Sequence, residues 1–437
     1  MIKRRSFLAG GAAALACLVG RQLVGRQLRR GVDTSPMLDA AAPPDPAAAA
    51  ALPQSALITC DRAGRVHVID VKTGRTLVTH PALHASHAVQ LVPGKGRAFV
   101  HGRRVTPEDE ADGPPERGSD STPDGMGFKR RPRRAGTGAL VVFKIEGASA
   151  SVELDRDLTA TPLHWQPRGD LSEIAYNTTG DESLSIVNTD TLEIEHFAHS
   201  AGHHSLMGFL DNDVISSNDL VNQGRVKILD RKAGFVDAEV QVGPWPHGLA
   251  VSTETGRAYT WCGDGVHVVG LRGNERGRHL GIIKGFAPGQ RCWFAWTPQG
   301  GRYSHDASWG PGDTWLPYLT VVDAHTGKLE RIETAGKLPG TLTVSDDGVM
   351  GLASNRTAAE ALVFDLKTST YKAAIPIGSA NAGSFFDRDL CLTPGGRWAS
   401  VTNPGDPSVS ILDLTARREV ARIKLTFRPG WTKLILS

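Results

Sequence analysis

The chain has 437 residues, of which 40% are hydrophobic and 22% charged, with 49 Gly, 26 Pro and a formal net charge of +3. The first 33 residues hold seven Lys and Arg against Asp33 alone, a surplus of six, so the remainder is net −3 and does not suit a polyanion such as nucleic acid. The length exceeds the usual single-core domain of about 100–200 residues, so the chain needs several domains or an architecture that grows by repetition.

The chain opens on a basic start, Lys3-Arg4-Arg5, followed by a short, weakly apolar run to Gly20. That layout is a secretory signal, and Arg4-Arg5-Ser6-Phe7-Leu8 resembles the twin-arginine signal of proteins exported already folded. The apolar run is shorter than the ~20 residues that span a bilayer, so no stable membrane span is expected once the signal is removed. Residues 1–42 are read as signal, with small residues at Ala40-Ala41-Ala42, and residues 43–54 as an Ala/Pro-rich linker.

From Ser55 onward one phrase returns: an apolar strand, a Gly-based turn, a second strand, then a third closing on Asp. The clearest copy is Pro246-His247-Gly248-Leu249-Ala250-Val251-Ser252 with its continuation to Tyr259, and a near twin runs from Ser86 to Phe99. Two columns can be counted. Strand entrances align at His87, Thr161, His204, His247, Cys292, Gly340, Arg388 and Thr432, and third-strand ends at Asp70, Lys144, Asn188, Asp230, Gly270, Asp323, Asp365 and Asp413. Spacings of 43–48 residues with strand periodicity indicate propeller blades. The expected fold is an all-β propeller over residues 55–437 with eight blades of four antiparallel strands, or seven if the copy at Thr161 is not a blade.

The first two strands lack an innermost partner, and Thr432-Lys433-Leu434-Ile435-Leu436 supplies one, so pairing of the two ends is expected to close the ring. The one long interval, 74 residues from His87 to Thr161, contains a Pro-, Gly- and charge-rich insertion at 103–137. It has too little apolar content to fold alone.

The entrance column concentrates the chemistry. His204, His247 and Cys292 come from consecutive blades and are ligand types for zinc, copper or iron. His87 joins the same ring, and Arg388 adds a bidentate donor for a carboxylate or phosphate. Each histidine alone is as well explained by a backbone hydrogen bond at a blade entrance. Together they suggest a transition metal, or a larger planar group, at the mouth of the central channel. Cys60, Cys262, Cys292 and Cys391 fall in strands of different blades and read as buried free thiols. His80 and His84 are expected in one loop with His87. No Ser-His-Asp set, phosphate loop or paired catalytic carboxylate can be located.

Through Pro246-His247-Gly248, Val401-Thr402-Asn403 and the closures Val68-Ile69-Asp70 and Val321-Val322-Asp323, residues 55–437 resemble the YVTN-type propellers, a group similar to the propeller of cytochrome d1. The resemblance implies a periplasmic protein that binds a haem-type tetrapyrrole or takes part in its assembly, with His87, His204 or His247 as axial ligand. No Cys-x-x-Cys-His is present, which excludes a covalently attached c-type haem. Two other classes stay open: a propeller enzyme, either an oxidoreductase or a lactonase-like hydrolase, and a ligand-free scaffold that docks an exported protein. The sequence sets no oligomeric state.

Overall fold

The structure is a computed structural model that describes residues 52–61, 65–80, 83–84, 89–104, 138–179, 182–198, 206–218, 224–244, 246, 248–285, 291–296, 303–310, 314–345, 347–355, 357–378, 389–403, 406–427 and 429–436, with Ala47 and Ala50. These residues fall in the compact unit spanning Met37–Ser437. They form eight antiparallel sheets, seven of four strands and one, blade two, of five. Among them no helix is long and apolar enough to cross a membrane.

The innermost strands, from blade one to blade eight, are Thr432–Leu436, Val89–Val92, Thr161–Pro167, Met207–Leu210, Gly248–Ser252, Arg291–Trp296, Pro339–Val344 and Leu390–Leu392. From blade three to blade eight each touches the next, Leu390–Leu392 touches Thr432–Leu436, and that strand touches Val89–Val92. Between blades two and three the contact is made by Arg97–Arg104, the second strand of blade two, against Thr161–Pro167. The circuit therefore returns to its start with eight blades, the copy at Thr161 included.

Blade one is assembled from both ends of the described chain. Ser55–Cys60 pairs on one side with Val66–Asp70 and on the other with Thr432–Leu436, in a register running from Ser55 opposite Leu436 to Thr59 opposite Thr432. Thr59 Oγ1 also donates to the Trp431 carbonyl at 2.6 Å. The inner edge of Ser55–Cys60 is thereby covered, and blade one has four strands like most of the other blades.

The third-strand column has a physical cause. Seven of the eight strands end on the expected residue, whereas in blade two Gly138–Glu146 runs two residues past Lys144. The terminal acid caps the following turn: Asp70 Oδ1 accepts from Thr73 N at 2.7 Å, Asp323 Oδ1 from His325 N at 2.8 Å, and Asp413 Oδ1 from Ala416 N at 3.0 Å. The turn then needs a left-handed residue, supplied by Gly74, Gly234 and Gly327 at φ of 69°, 80° and 66°. These carboxylates therefore serve local geometry.

Packing runs between blades. Inward positions of each sheet meet the neighbouring sheet in apolar clusters, such as Leu319, Val321 and Ile332 of blade six with Leu342, Val344, Leu362 and Phe364 of blade seven. The insertion lies between the second and third strands of blade two, and residues 105–137 lie outside the described residues.

The expected loop cluster of His80, His84 and His87 is corrected. His80 ends the outer strand Thr76–His80, and His84 belongs to the short strand Leu83–His84, paired through its backbone with Arg103; His87 lies outside the described residues. His80 Nε2 sits 3.1 Å from Asp155 on the outer strand of blade two, and Arg104 is bonded to the same carboxylate. Burial opposes ionisation of Asp155, but these two partners outweigh it and hold its carboxyl down at about 2. A carboxyl held below its unfolded value of about 3.9 contributes stability that is complete above that value and is lost as pH falls toward 2. Asp155 is partly exposed, so solvent screening reduces the contribution to roughly 1 kcal/mol. Urea denaturation of Asp155→Asn against wild type should show that gap at pH 7, narrowing between pH 5 and pH 2. A gap that widens on acidification would contradict the linkage.

Candidate functional site

In all eight blades the innermost strand runs antiparallel to the second strand, with its beginning toward the second strand's end; in blade one it is the chain's last strand, Thr432–Leu436, rather than the first of its sheet. The predicted residues stand at or just before those beginnings in the sequence: His204 before Met207–Leu210, His247 before Gly248–Ser252, Cys292 within Arg291–Trp296, His87 before Val89–Val92 and Arg388 before Leu390–Leu392. His87, His204, His247 and Arg388 lie outside the described residues. Cys292 is placed by its backbone alone, paired with Ser308 of the second strand. The strands that follow the three predicted metal ligands belong to consecutive blades four, five and six, and they touch in succession.

At the junction of blades eight and one the described residues carry charge. Asp389, next to Arg388, accepts from Lys433 Nζ at 3.1 Å and from the Thr432 backbone N–H at 3.0 Å. Its own N–H donates to Thr402 Oγ1 at 2.8 Å. Burial works to lower the Lys433 ammonium pKa, but the facing Asp389 charge outweighs it and holds the group above its ordinary value. The ammonium therefore stays charged, and its contact with Asp389 ties the closing strand to its neighbour. Sequence columns passed over it because Asp389 is one residue off the column and Lys433 one residue past it; a ring of alternating strands places both beside the marked positions.

The thiol reading holds for the three cysteines whose side chains are described: Cys60, Cys262 and Cys391 are buried and form no disulfide. Burial pushes the Cys60 thiol far above its usual range, so it stays protonated in the folded chain. Asn177 sits two residues before the end of Glu173–Thr179 and accepts the His164 N–H at 2.9 Å, bridging a bulge between two strands of blade three.

No protein-family model matches the chain, and no curated protein matches it by sequence. Solved structures do. The structure of apo AztD from Citrobacter koseri superposes with a TM-score of 0.61 at 14% identity, covering 88% of this chain and 98% of that one. A dihydro-heme d1 dehydrogenase, NirN, in complex with DHE, gives a TM-score of 0.56 at 12% identity, covering 87% and 75% of the two chains. At such identities the likeness establishes a shared propeller fold and leaves activity to the site.

Proposed function

We propose that the chain is an exported, periplasmic binding protein that holds a transition metal or haem-type group at the propeller rim, with His204, His247 and Cys292 as candidate metal ligands and His87 and Arg388 completing the ring around a larger group. The observation that carries this reading is the succession of innermost strands in blades four to six, whose entrances carry two imidazoles and one thiol in the sequence. Such donors suit borderline metals. The fold shared with a protein that binds DHE, and with one whose structure is described as apo, favours a ligand. The Arg4-Arg5-Ser6-Phe7-Leu8 run favours export through the twin-arginine route, which carries proteins after folding and suits a cargo loaded before export.

The test is to export the full chain from its own signal and purify it from the periplasm for metal analysis and an absorption spectrum. Stoichiometric metal or a porphyrinoid band is expected, and replacing His204 and His247 together by Ala should lower occupancy at least ten-fold. A colourless, metal-free wild type, or a double variant with undiminished occupancy, would remove the reading.

A further inference from the structure

Blade five contains a second donor cluster that uses none of the entrance residues. Its second strand, Arg257–Cys262, reverses through Gly263 and Asp264 into Gly265–Gly270, with Cys262 paired to Gly265. This two-residue reversal brings Cys262, Asp264 and His267 together, one ligand atom of each within 4.8 Å of the others. Cys262 and His267 are buried, while Asp264 reaches solvent. His267 Nε2 lies 2.9 Å from Asp264 Oδ1, and His267 Nδ1 lies 3.0 Å from Nε2 of His279 on the exposed outer strand.

The backbone of Gly243, in the connection from blade four, closes the remaining side. A Cβ there would stand 2.1 Å from Asp264 Oδ1 and 2.5 Å from His267 Nε2, so a side chain at this position would occupy the space between the two donors. Their approach to the backbone depends on glycine.

Blade one provides an internal comparison. His67 Nε2 is 3.3 Å from Asp61 Oδ2 and His67 Nδ1 is 3.1 Å from Thr79 Oγ1, the same arrangement around a third-strand histidine. There Asp61 is neutralised by Arg65, whose Nε lies 2.6 Å away, and the ring stacks on Phe427 at 4.4 Å. That version is a satisfied structural pair. In blade five, among the described residues, no Lys or Arg pairs with Asp264, and a buried thiol faces the carboxylate and imidazole instead.

We propose that Cys262, Asp264 and His267 bind one divalent transition ion of the zinc class. Thiolate, imidazole and carboxylate are its ligand types, and the thiolate disfavours magnesium and calcium. Tetrahedral coordination needs donors roughly 3.5 Å apart, so the three atoms close on the ion by about an ångström, within reach of side-chain rotation at the exposed Asp264. Cys262 binds as thiolate and its proton passes to solvent. His267 ligates through Nε2 while its Nδ1–H donates to His279, which fixes the ring as a positioning residue. Three protein donors leave a fourth position for water or an exchangeable ligand.

The experiment uses the full mature chain, stripped by chelator and titrated with cobalt(II) as a spectroscopic stand-in. Wild type should take up one equivalent at this site with a thiolate-to-cobalt charge-transfer band. The band should vanish in Cys262→Ala and persist in Cys391→Ala. Cobalt affinity should fall at least ten-fold in Asp264→Asn and about ten-fold in His279→Phe, a change typical of lost outer-shell support. Circular dichroism checks folding; if Cys262→Ala does not fold, unchanged affinity in Asp264→Asn overturns the proposal. A wild type without a thiolate band overturns it as well. A band that survives Cys262→Ala and disappears in Cys292→Ala also overturns it, while supporting the rim reading. Loss of the rim ligand in His204→Ala with His247→Ala and retention of the band would leave this site standing alone.

Discussion

Removing residues 431–437 should abolish cooperative folding. The deleted segment contains Trp431, Leu434 and Ile435, all at most 5% exposed, and the whole innermost strand of blade one. At about 1.5–3 kcal/mol for each buried apolar side chain, these three alone contribute roughly 5–9 kcal/mol, comparable to the 5–15 kcal/mol that separates typical folded and unfolded states. The loss is not confined to those contacts. Ser55–Cys60 would lose its partner, and Asp389 would lose both Lys433 and the Thr432 N–H. Thermal melting by circular dichroism with size-exclusion chromatography is the measurement. A truncated chain that stays monomeric with an unchanged melting point would show that the closing strand is dispensable. The single substitution Leu434→Asp, which places a charge at a fully buried site, should act in the same direction.

Trp261→Ala should be the most damaging of the ordinary core truncations, at about 3–5 kcal/mol. Trp261 is fully buried and packs with Ala250, Tyr259 and Val266 of its own blade and with Val322 and Ala324 of blade six. Beside it, Tyr259 donates its hydroxyl to the Ala324 carbonyl at 2.6 Å, a second tie between these blades. The cavity would open where two sheets meet, and neither can move inward without losing its other neighbour. Urea unfolding should show a lowered midpoint with the slope retained, and Trp261→Phe should recover more than half of the loss. A cost for Trp261→Ala below about 1 kcal/mol would mean that the blades re-pack freely, contrary to the behaviour of close-packed interiors.

The blade count and the ring closure were legible because each blade repeats the same local needs. An apolar strand must be followed by a turn, and the acid that ends the strand caps that turn, so Asp70, Asp230, Asp323, Asp365 and Asp413 mark strand ends in the sequence itself. The departure at Lys144 arises because that strand continues to Glu146 before turning at Gly147 into the long outer strand Ser149–Leu158. Contacts between blades were less legible. His80 and Asp155 are 75 residues apart, and nothing local to either predicts the other. The blade-five cluster escaped for a different reason. Its three donors span only six residues of one hairpin of one blade, so alignment across blades matches His267 with His67 but gives no column for the set of three. Cys262 was rightly read as a buried thiol, but its neighbours follow from the tightness of the reversal at Gly263 and Asp264, which apolar patterning does not encode. The five entrance residues themselves remain placed by sequence position and, for Cys292, by backbone.

The seam in blade one also sets an order of events during synthesis. Thr59 and the carbonyl it binds are separated by 372 residues. The earliest-made sheet must therefore wait for nearly all later ones before its inner flank is covered. Until then it offers unpaired amides to any extended segment nearby, the hazard common to long-range strand pairing. A ribosome-bound chain remains in that exposed state until Thr432–Leu436 has emerged.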